Sequence, residues 1–338
     1  MSLYSTITGN QLIENELFEA SKGARVLIAV NQDVWEQHGL SVKFKRFNLS
    51  AVYYVHTMER AIIEKDFAAL PEFDVAIGVG GGMAMDMAKY FAWKNDVDVY
   101  QVPTAISVDA MYSYPIAIRE NGRVIYDGEC FAKEIYVDYD ILQAAPKLFN
   151  RSGACDILSC HTALFDWTLD PDRSVLDKPV YDKAASMLSN YIHHLDEVYN
   201  VTEKGINLTM EGFQWVAEES YRLGHCRYEE GSEHFFYYAL EAQTQKHYLH
   251  GKVVNLGIYL MSLLQNNQVD TVTDVLKRIG VPINPESMGI TYQDIRVALE
   301  YANQYAKTKD YSYSILNHRQ IDNEFIDFAL DKLQREFG

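Results

Sequence analysis

Short apolar runs broken by polar turns fill roughly the first 150 residues, and longer stretches of helical period fill the rest. Residues 24–30 read Ala-Arg-Val-Leu-Ile-Ala-Val, a β-branched run that predicts a strand buried on both faces. Residues 51–55 predict a second strand, followed by helical spacing over 58–70. Residues 75–79 make a third, bounded by Asp74 and Gly80, and 97–102 a fourth, stopped by Pro103-Thr104. Residues 116–119 and 123–126 flank Glu120-Asn121-Gly122, a hairpin signal of the Asn-Gly kind. A last apolar run, 135–137, closes this half. Strands alternating with helices predict a parallel sheet covered on both faces. Ligands of such sheets sit beyond the carboxyl ends of the strands, which sets Asn31, the glycines 80–82 and Thr104 along one crevice.

After Pro146 the strand signals stop. Helical periods run over 183–195, 208–223, 234–264, 269–279, 292–307 and 322–337. The expected organisation is an α/β domain over 1–150 and an all-helical domain over 151–338, with a cleft between them.

Within the first half, Gly80-Gly81-Gly82 separates the 75–79 run from a helix whose Ala84, Met87, Ala88 and Phe91 share one face. Strand, glycine turn and helix let backbone N–H groups approach a phosphate at the helix N-terminus. The turn is neither the G-x-G-x-x-G fingerprint nor a P-loop, and a plain tight turn fits the same residues.

Composition narrows the partners. The 338-residue chain is 48% hydrophobic and 23% charged, ordinary for a globular protein, with a net charge of −17. That charge opposes nucleic acid and anionic membrane surfaces, both of which need a basic face. Four cysteines form no C-x-x-C pair, the N-terminus lacks a secretory pattern, and no apolar run is long enough to span a membrane. A cytoplasmic protein with reduced thiols and a small-molecule partner is expected, and a homo-oligomer is compatible with it.

In the helical half, His234 and His250 lie sixteen residues apart and meet only if the chain turns back between them. His247 and His250 form a competing local pair. Asp156, near the start of a helix, reads equally as a carboxylate complementing a helix N-terminus.

Several short motifs, in order, carry a resemblance. They are Gly80-Gly-Gly-Met-Ala-Met-Asp, Val102-Pro-Thr-Ala-Ile-Ser-Val-Asp-Ala, Gly153-Ala-Cys-Asp-Ile-Leu-Ser with Thr162-Ala-Leu-Phe-Asp-Trp, Gly231-Ser-Glu-His, and His250-Gly-Lys-Val-Val. Together they resemble the superfamily of 3-dehydroquinate synthase, glycerol dehydrogenase and the metal-dependent group III alcohol dehydrogenases, with sn-glycerol-1-phosphate dehydrogenases as the nearest branch. The resemblance implies an α/β nucleotide-binding domain followed by an all-α metal-binding domain. It implies a metal-dependent NAD(P)H oxidoreductase acting on a small, in that branch phosphorylated, ketone or alcohol.

By the same resemblance Asp156, His234 and His250 match the ligands of Zn²⁺ or another divalent ion, a set that leaves open positions for substrate. Gly81, Gly82, Met83 and Asp86 fall in the family's pyrophosphate turn and the helix after it. Thr104, Ser107 and Ser113 match the nicotinamide side, Asp109 a catalytic carboxylate near the substrate, and Arg227 a substrate-phosphate group. Asn31 stands where an Asp often holds the adenosine ribose, so NADP(H) is expected to serve beside NAD(H).

The chain also departs from the family. Met83 replaces a Lys, Val108 a His, and Glu229-Glu230 an Ala-Ser pair, which adds two carboxylates beside the expected phosphate site, where like charges are unfavourable. The alternative reaction is a sugar-phosphate cyclisation like that of dehydroquinate synthase, against which Asp156 stands where the cyclases carry Glu. A binding protein that has lost turnover is the third reading, and the retention of all three ligands opposes it.

Overall fold

Five of the apolar runs, with one short strand near the N-terminus, form an all-parallel sheet. Its strands are β1 (Thr6–Gly9), β2 (Val26–Val30), β3 (Leu49–Tyr54), β4 (Val75–Gly80), β5 (Asp98–Pro103) and, after the hairpin of β6 (Pro115–Glu120) and β7 (Arg123–Glu129), β8 (Glu134–Asp138). The order is β1-β8-β5-β4-β2-β3. Every residue of β2 and β4 is buried, which is why these central strands read as unbroken apolar runs. Strand β1 escaped the hydrophobic pattern because it has four residues, Thr-Ile-Thr-Gly, and pairs only with β8 at the sheet edge. Hairpin residues Asn121 and Gly122 both take positive φ, 54° and 76°, as the tight turn requires.

The computed structural model describes residues 2–338, and the chain divides into two compact units, one ending at Asn150 and the other Arg151–Gly338. In the first unit Ile28, Val30, Phe44, Ile77, Val79, Val102 and Tyr136 form part of the core. Helices α1 (Arg60–Ala68) and α2 (Gly82–Asn95) follow β3 and β4. Helix α2 is buried from Ala84 to Ala92, so its two charged residues there must pair: Lys89 Nζ lies 2.8 Å from Asp86.

The second unit is helical. Its longer helices are α3 (Cys160–Leu169), α4 (Lys178–His193), α5 (Glu203–Leu223), α6 (Ser232–Thr244), α7 (His250–Gln265), α8 (Val269–Ile279), α9 (Tyr292–Thr308) and α10 (Asn323–Phe337). Two of them begin five residues earlier than their apolar period suggests, because side chains cap the first turn. Asp177 accepts from Val180 N with Pro179 just behind, and Thr202 accepts from Gly205 N.

The helical period over 234–264 is two helices, not one. Gln245 closes α6 in a left-handed conformation (φ 55°), residues 245–249 are irregular, and α7 starts at His250. The two helices then pack main chain to main chain. A Cβ on Gly257 would meet the Glu233 carbonyl at 2.5 Å, and one on Gly251 the Ser152 carbonyl at 2.1 Å. Among the described residues no helix is long and apolar enough to cross a membrane, and all four cysteines are free thiols.

Candidate functional site

Two constellations stand out, one in each unit. In the first, the register Val30↔Val79 and Gly80↔Pro103 aligns the carboxyl ends of β2, β4 and β5. Asn31, Gly80–Gly82 and Thr104 therefore leave the sheet at one end, and Thr104 N donates to Gly80 O at 2.9 Å. Gly80 has φ 154°, and a Cβ there would meet Ala84 at 2.8 Å, so this position admits only glycine without distortion. Gly81, at the N-cap of α2, would turn a Cβ into open space, and no side chain caps that helix. Open space therefore borders the N-cap of this fourteen-residue helix, whose first amides have no side-chain cap.

The other residues expected around the nucleotide fall into distinct settings. Met83 is exposed, and Asp86 is buried against Lys89 with burial raising its pKa. Ser113 Oγ donates to Pro115 O, Ser107 is half-buried, and the Asp109 carbonyl accepts from Tyr112 N and Ser113 N. Asn31 donates through Nδ2 to Val55 O at 3.3 Å.

In the second unit the turn between α6 and α7 brings His234 and His250 together, with ring centroids 5.3 Å apart. His250 Nε2 lies 3.1 Å from Asp156 Oδ1, carried by the short helix Cys155–Leu158, and the Cys155 thiol donates to the same oxygen at 2.7 Å. The other oxygen, Asp156 Oδ2, is buried without a hydrogen-bond partner. Burial acts to raise the Asp156 pKa, but the charges of His250 and His234 and the bonds from His250 and Cys155 prevail and hold it low.

Two further carboxylates complete the cluster. Glu233 is wholly buried; its Oε1 accepts from Gly231 N (2.6 Å) and pairs with His234 Nδ1 (2.9 Å), and its Oε2 accepts from Thr162 Oγ1 (2.6 Å). That bond fixes the imidazole with Nε2 as its outward nitrogen. Glu229, also buried, has Oε1 3.9 Å from His234 Nε2, and Asp156, Glu229 and His234 each present a ligand atom within 4.8 Å of the others. Burial works against a charged His234, yet the Glu233 bond and the charges of Glu229, Glu230 and Glu233 push its pKa up to about 10. One orphaned carboxylate oxygen, two imidazoles and a surplus of buried negative charge fit a divalent cation.

Helix α3 braces this cluster. Thr162 holds Glu233, and one turn on Asp166 accepts from Ser232 N (2.7 Å), Ile315 N (2.7 Å) and Gln265 Nε2 (3.0 Å). Burial first, and then the charge of Glu233, push the Asp166 carboxyl up to about 7 against those hydrogen bonds.

Arg227 is not free to meet a ligand unaided. Its Nη2 lies 2.6 Å from Asp170, both side chains largely buried, and its Nε is buried without a partner. Of the two departing carboxylates, Glu230 accepts from the Cys226 thiol and the Tyr238 hydroxyl, while Glu229 lies beside the His234 imidazole. Glu229, Glu233 and Cys155 were not singled out as site residues from sequence. Glu233 sits inside the Gly231-Ser-Glu-His motif, and Glu229 was visible only as a departure. An apolar cavity of about 380 Å³ beside Leu164, Tyr181 and Val275 contains none of the candidate ligands.

Known proteins resemble this chain in sequence and in fold. The iron-containing alcohol dehydrogenase family profile matches residues 8–146. A Staphylothermus marinus protein named glycerol-1-phosphate dehydrogenase, with NAD(P)+ in its name, is 30% identical over 270 residues, covering 78% of this chain and 73% of that one. The structure of a probable glycerol dehydrogenase from Sinorhizobium meliloti superposes with a TM-score of 0.70 at 17% identity, covering 98% and 96% of the two chains. A 2-epi-5-epi-valiolone synthase from Streptomyces hygroscopicus, with NAD+ and Zn²⁺ bound, gives 0.67 at 16% identity, covering 98% and 97%.

Proposed function

The chain belongs to the glycerol-1-phosphate dehydrogenase family, and on that premise we propose that Asp156, His234 and His250 hold its catalytic cation while the glycine turn after β4 receives the cofactor pyrophosphate. The protein is a metal-dependent NAD(P)H oxidoreductase that interconverts a small ketone and its alcohol. Residues 1–150 then serve as the dinucleotide-binding domain and 151–338 as the metal and substrate domain. The observation that carries this reading is the buried Asp156 Oδ2, unpartnered beside two imidazoles. Zinc suits a carboxylate and two neutral imidazoles, and the valiolone synthase of the same fold binds it.

When bound, the cation supplies Lewis acidity at the substrate oxygen and the nicotinamide supplies or accepts hydride. The chain itself orients and balances charge. Glu233 holds His234 in the tautomer that leaves Nε2 available. Thr104, Ser107 and Ser113 follow the ends of the central strands as the lining of the nicotinamide side, with Asn31 towards the ribose. Asp109 is assigned to orient a substrate hydroxyl or move its proton. Arg227 is assigned to a substrate phosphate, which must share the guanidinium with Asp170.

The test is NAD(P)H consumption by the metal-loaded protein with dihydroxyacetone phosphate and with unphosphorylated dihydroxyacetone. Turnover should require the cation. Arg227→Ala should raise KM for the phosphorylated ketone with little change in kcat. If that variant is unchanged on its best substrate, an uncharged hydroxyketone replaces the phosphate reading. No turnover of any small ketone in the presence of cation would sink the assignment.

A further inference from the structure

We infer that Glu229 is a fourth protein ligand of the cation, making the set two carboxylates and two imidazoles. This rests on the proposed metal site at Asp156, His234 and His250. Three observations lead to it. Glu229 lies in a turn closed by Glu229 N and Glu230 N bonding to Cys226 O, and its side chain is buried beside His234. It forms an ion pair with His234 Nε2 at 3.9 Å, and that nitrogen is turned outward because Glu233 holds Nδ1. Asp156 Oδ2, buried and unpartnered, belongs to the same group of ligand atoms.

The distances suit a shared ion. Two ligands each about 2.1 Å from one cation lie roughly 3 to 4 Å apart, depending on the angle between them. The Glu229–His234 separation falls inside that span. The ordinary alternative is that Glu229 serves the protein scaffold, and its hydrogen bond from Ser159 Oγ at 3.3 Å is the contact that would do so. Such contacts leave three buried carboxylates, Asp156, Glu229 and Glu233, around His234, and a divalent cation offsets that charge directly.

A second carboxylate changes what the site selects. Oxygen-rich, higher-coordinate sets favour harder ions, so Mn²⁺ should gain on Zn²⁺ relative to a one-carboxylate site.

The experiment is chelator competition with Mn²⁺ and with Zn²⁺ on the full-length wild type, Glu229→Gln and His234→Ala, together with melting of each protein with and without metal. Glu229→Gln keeps the size of the side chain and a carbonyl acceptor for Ser159. It should weaken Mn²⁺ binding at least tenfold and Zn²⁺ binding less, and its metal-free form should melt no lower than wild type while the metal-induced rise in Tm shrinks. His234→Ala should lose both ions more severely. If Glu229→Gln binds both ions as wild type does while His234→Ala does not, Glu229 is not a ligand. A Glu229→Gln protein that melts lower without metal, yet gains the full metal-induced rise, assigns Glu229 to the scaffold and also overturns the inference. If His234→Ala binds as wild type does, the underlying metal site is what fails.

Discussion

The glycine turn and the carboxylate–imidazole cluster present chemistry in opposite ways. At the turn the proposed groups are main-chain amides, and the side chains matter mainly by being absent. At the cluster the proposed groups are side chains, those of residues 156, 229, 234 and 250; Cys155 donates to Asp156, while Thr162 and Gly231 donate to Glu233, which in turn holds His234. A backbone site tolerates drift in neighbouring residues, and Met83 and Val108 depart from the family's residues beside an intact strand–turn–helix. A side-chain site tolerates almost none at the ligands, yet one new neighbour can re-tune it, which is the role inferred for Glu229.

The strongest way to break this comparison is to remove a side-chain ligand. His234→Ala should lose bound metal and drop kcat/KM by roughly a thousandfold or more, about 4 kcal/mol, from lost Lewis-acid stabilisation. Elemental analysis beside kinetics checks it. Full metal content in that variant would show that the cluster is not organised by its imidazoles.

Next comes Asp166, which supports the cluster through backbone amides. Its folded pKa of about 7 lies above the ordinary 3.8, so its contribution to stability is fully present below about pH 4 and is lost as pH rises through about 7. Across pH 5 to 8 the metal-free wild type should therefore lose more stability than Asp166→Asn, by as much as a few kcal/mol. Parallel denaturation curves at the two pH values would refute this.

A smaller effect is expected at the turn. Gly81→Val meets no protein atom at its Cβ, so Tm should hold while the filled space raises KM for NAD(P)H about tenfold, or ~1.4 kcal/mol. Met83→Ala, on an exposed side chain, should leave both unchanged. Equal effects from the two would mean that the turn does not present its backbone to the cofactor.

The smallest effect concerns Asn31. A neutral side chain at the end of β2 cannot repel a ribose phosphate, so kcat/KM for NADPH and NADH should differ by less than about a hundredfold, or 2.7 kcal/mol. Asn31→Asp should then bias the enzyme towards NADH.

The same contrast explains what could be read from sequence. The turn was legible because all its parts are local: a buried strand, three glycines and one helical period lie within twenty residues. The parallel sheet was legible for the same reason, apart from β1, too short and too polar to register. The cluster was not legible by period, because Asp156 and His250 stand ninety-four positions apart and their meeting depends on packing. Resemblance, not geometry, named its three ligands. The 234–264 stretch looked continuous because apolar spacing persists across it, whereas the break at 245–249 depends on a left-handed Gln245, a residue type that gives no warning of it. Glu229 could be noticed but not placed, since nothing local tells whether a carboxylate after Tyr228 turns inward or out.

The contact of α7 with its neighbours at Gly251 and Gly257 has a consequence for which ions the enzyme can use. Side-chain walls yield by rotating, but here the helix that carries His250 rests on the carbonyls of Ser152 and Glu233, and peptide groups do not give way by changing rotamer. The bite of the site is set like a fixed jaw whose gap can widen only by inserting an atom. A single methyl at Gly257 would lift the His250 helix from the helix that bears His234, and the site would then favour ions of larger ionic radius. Evolution could thus retune the metal of this enzyme without altering a ligand.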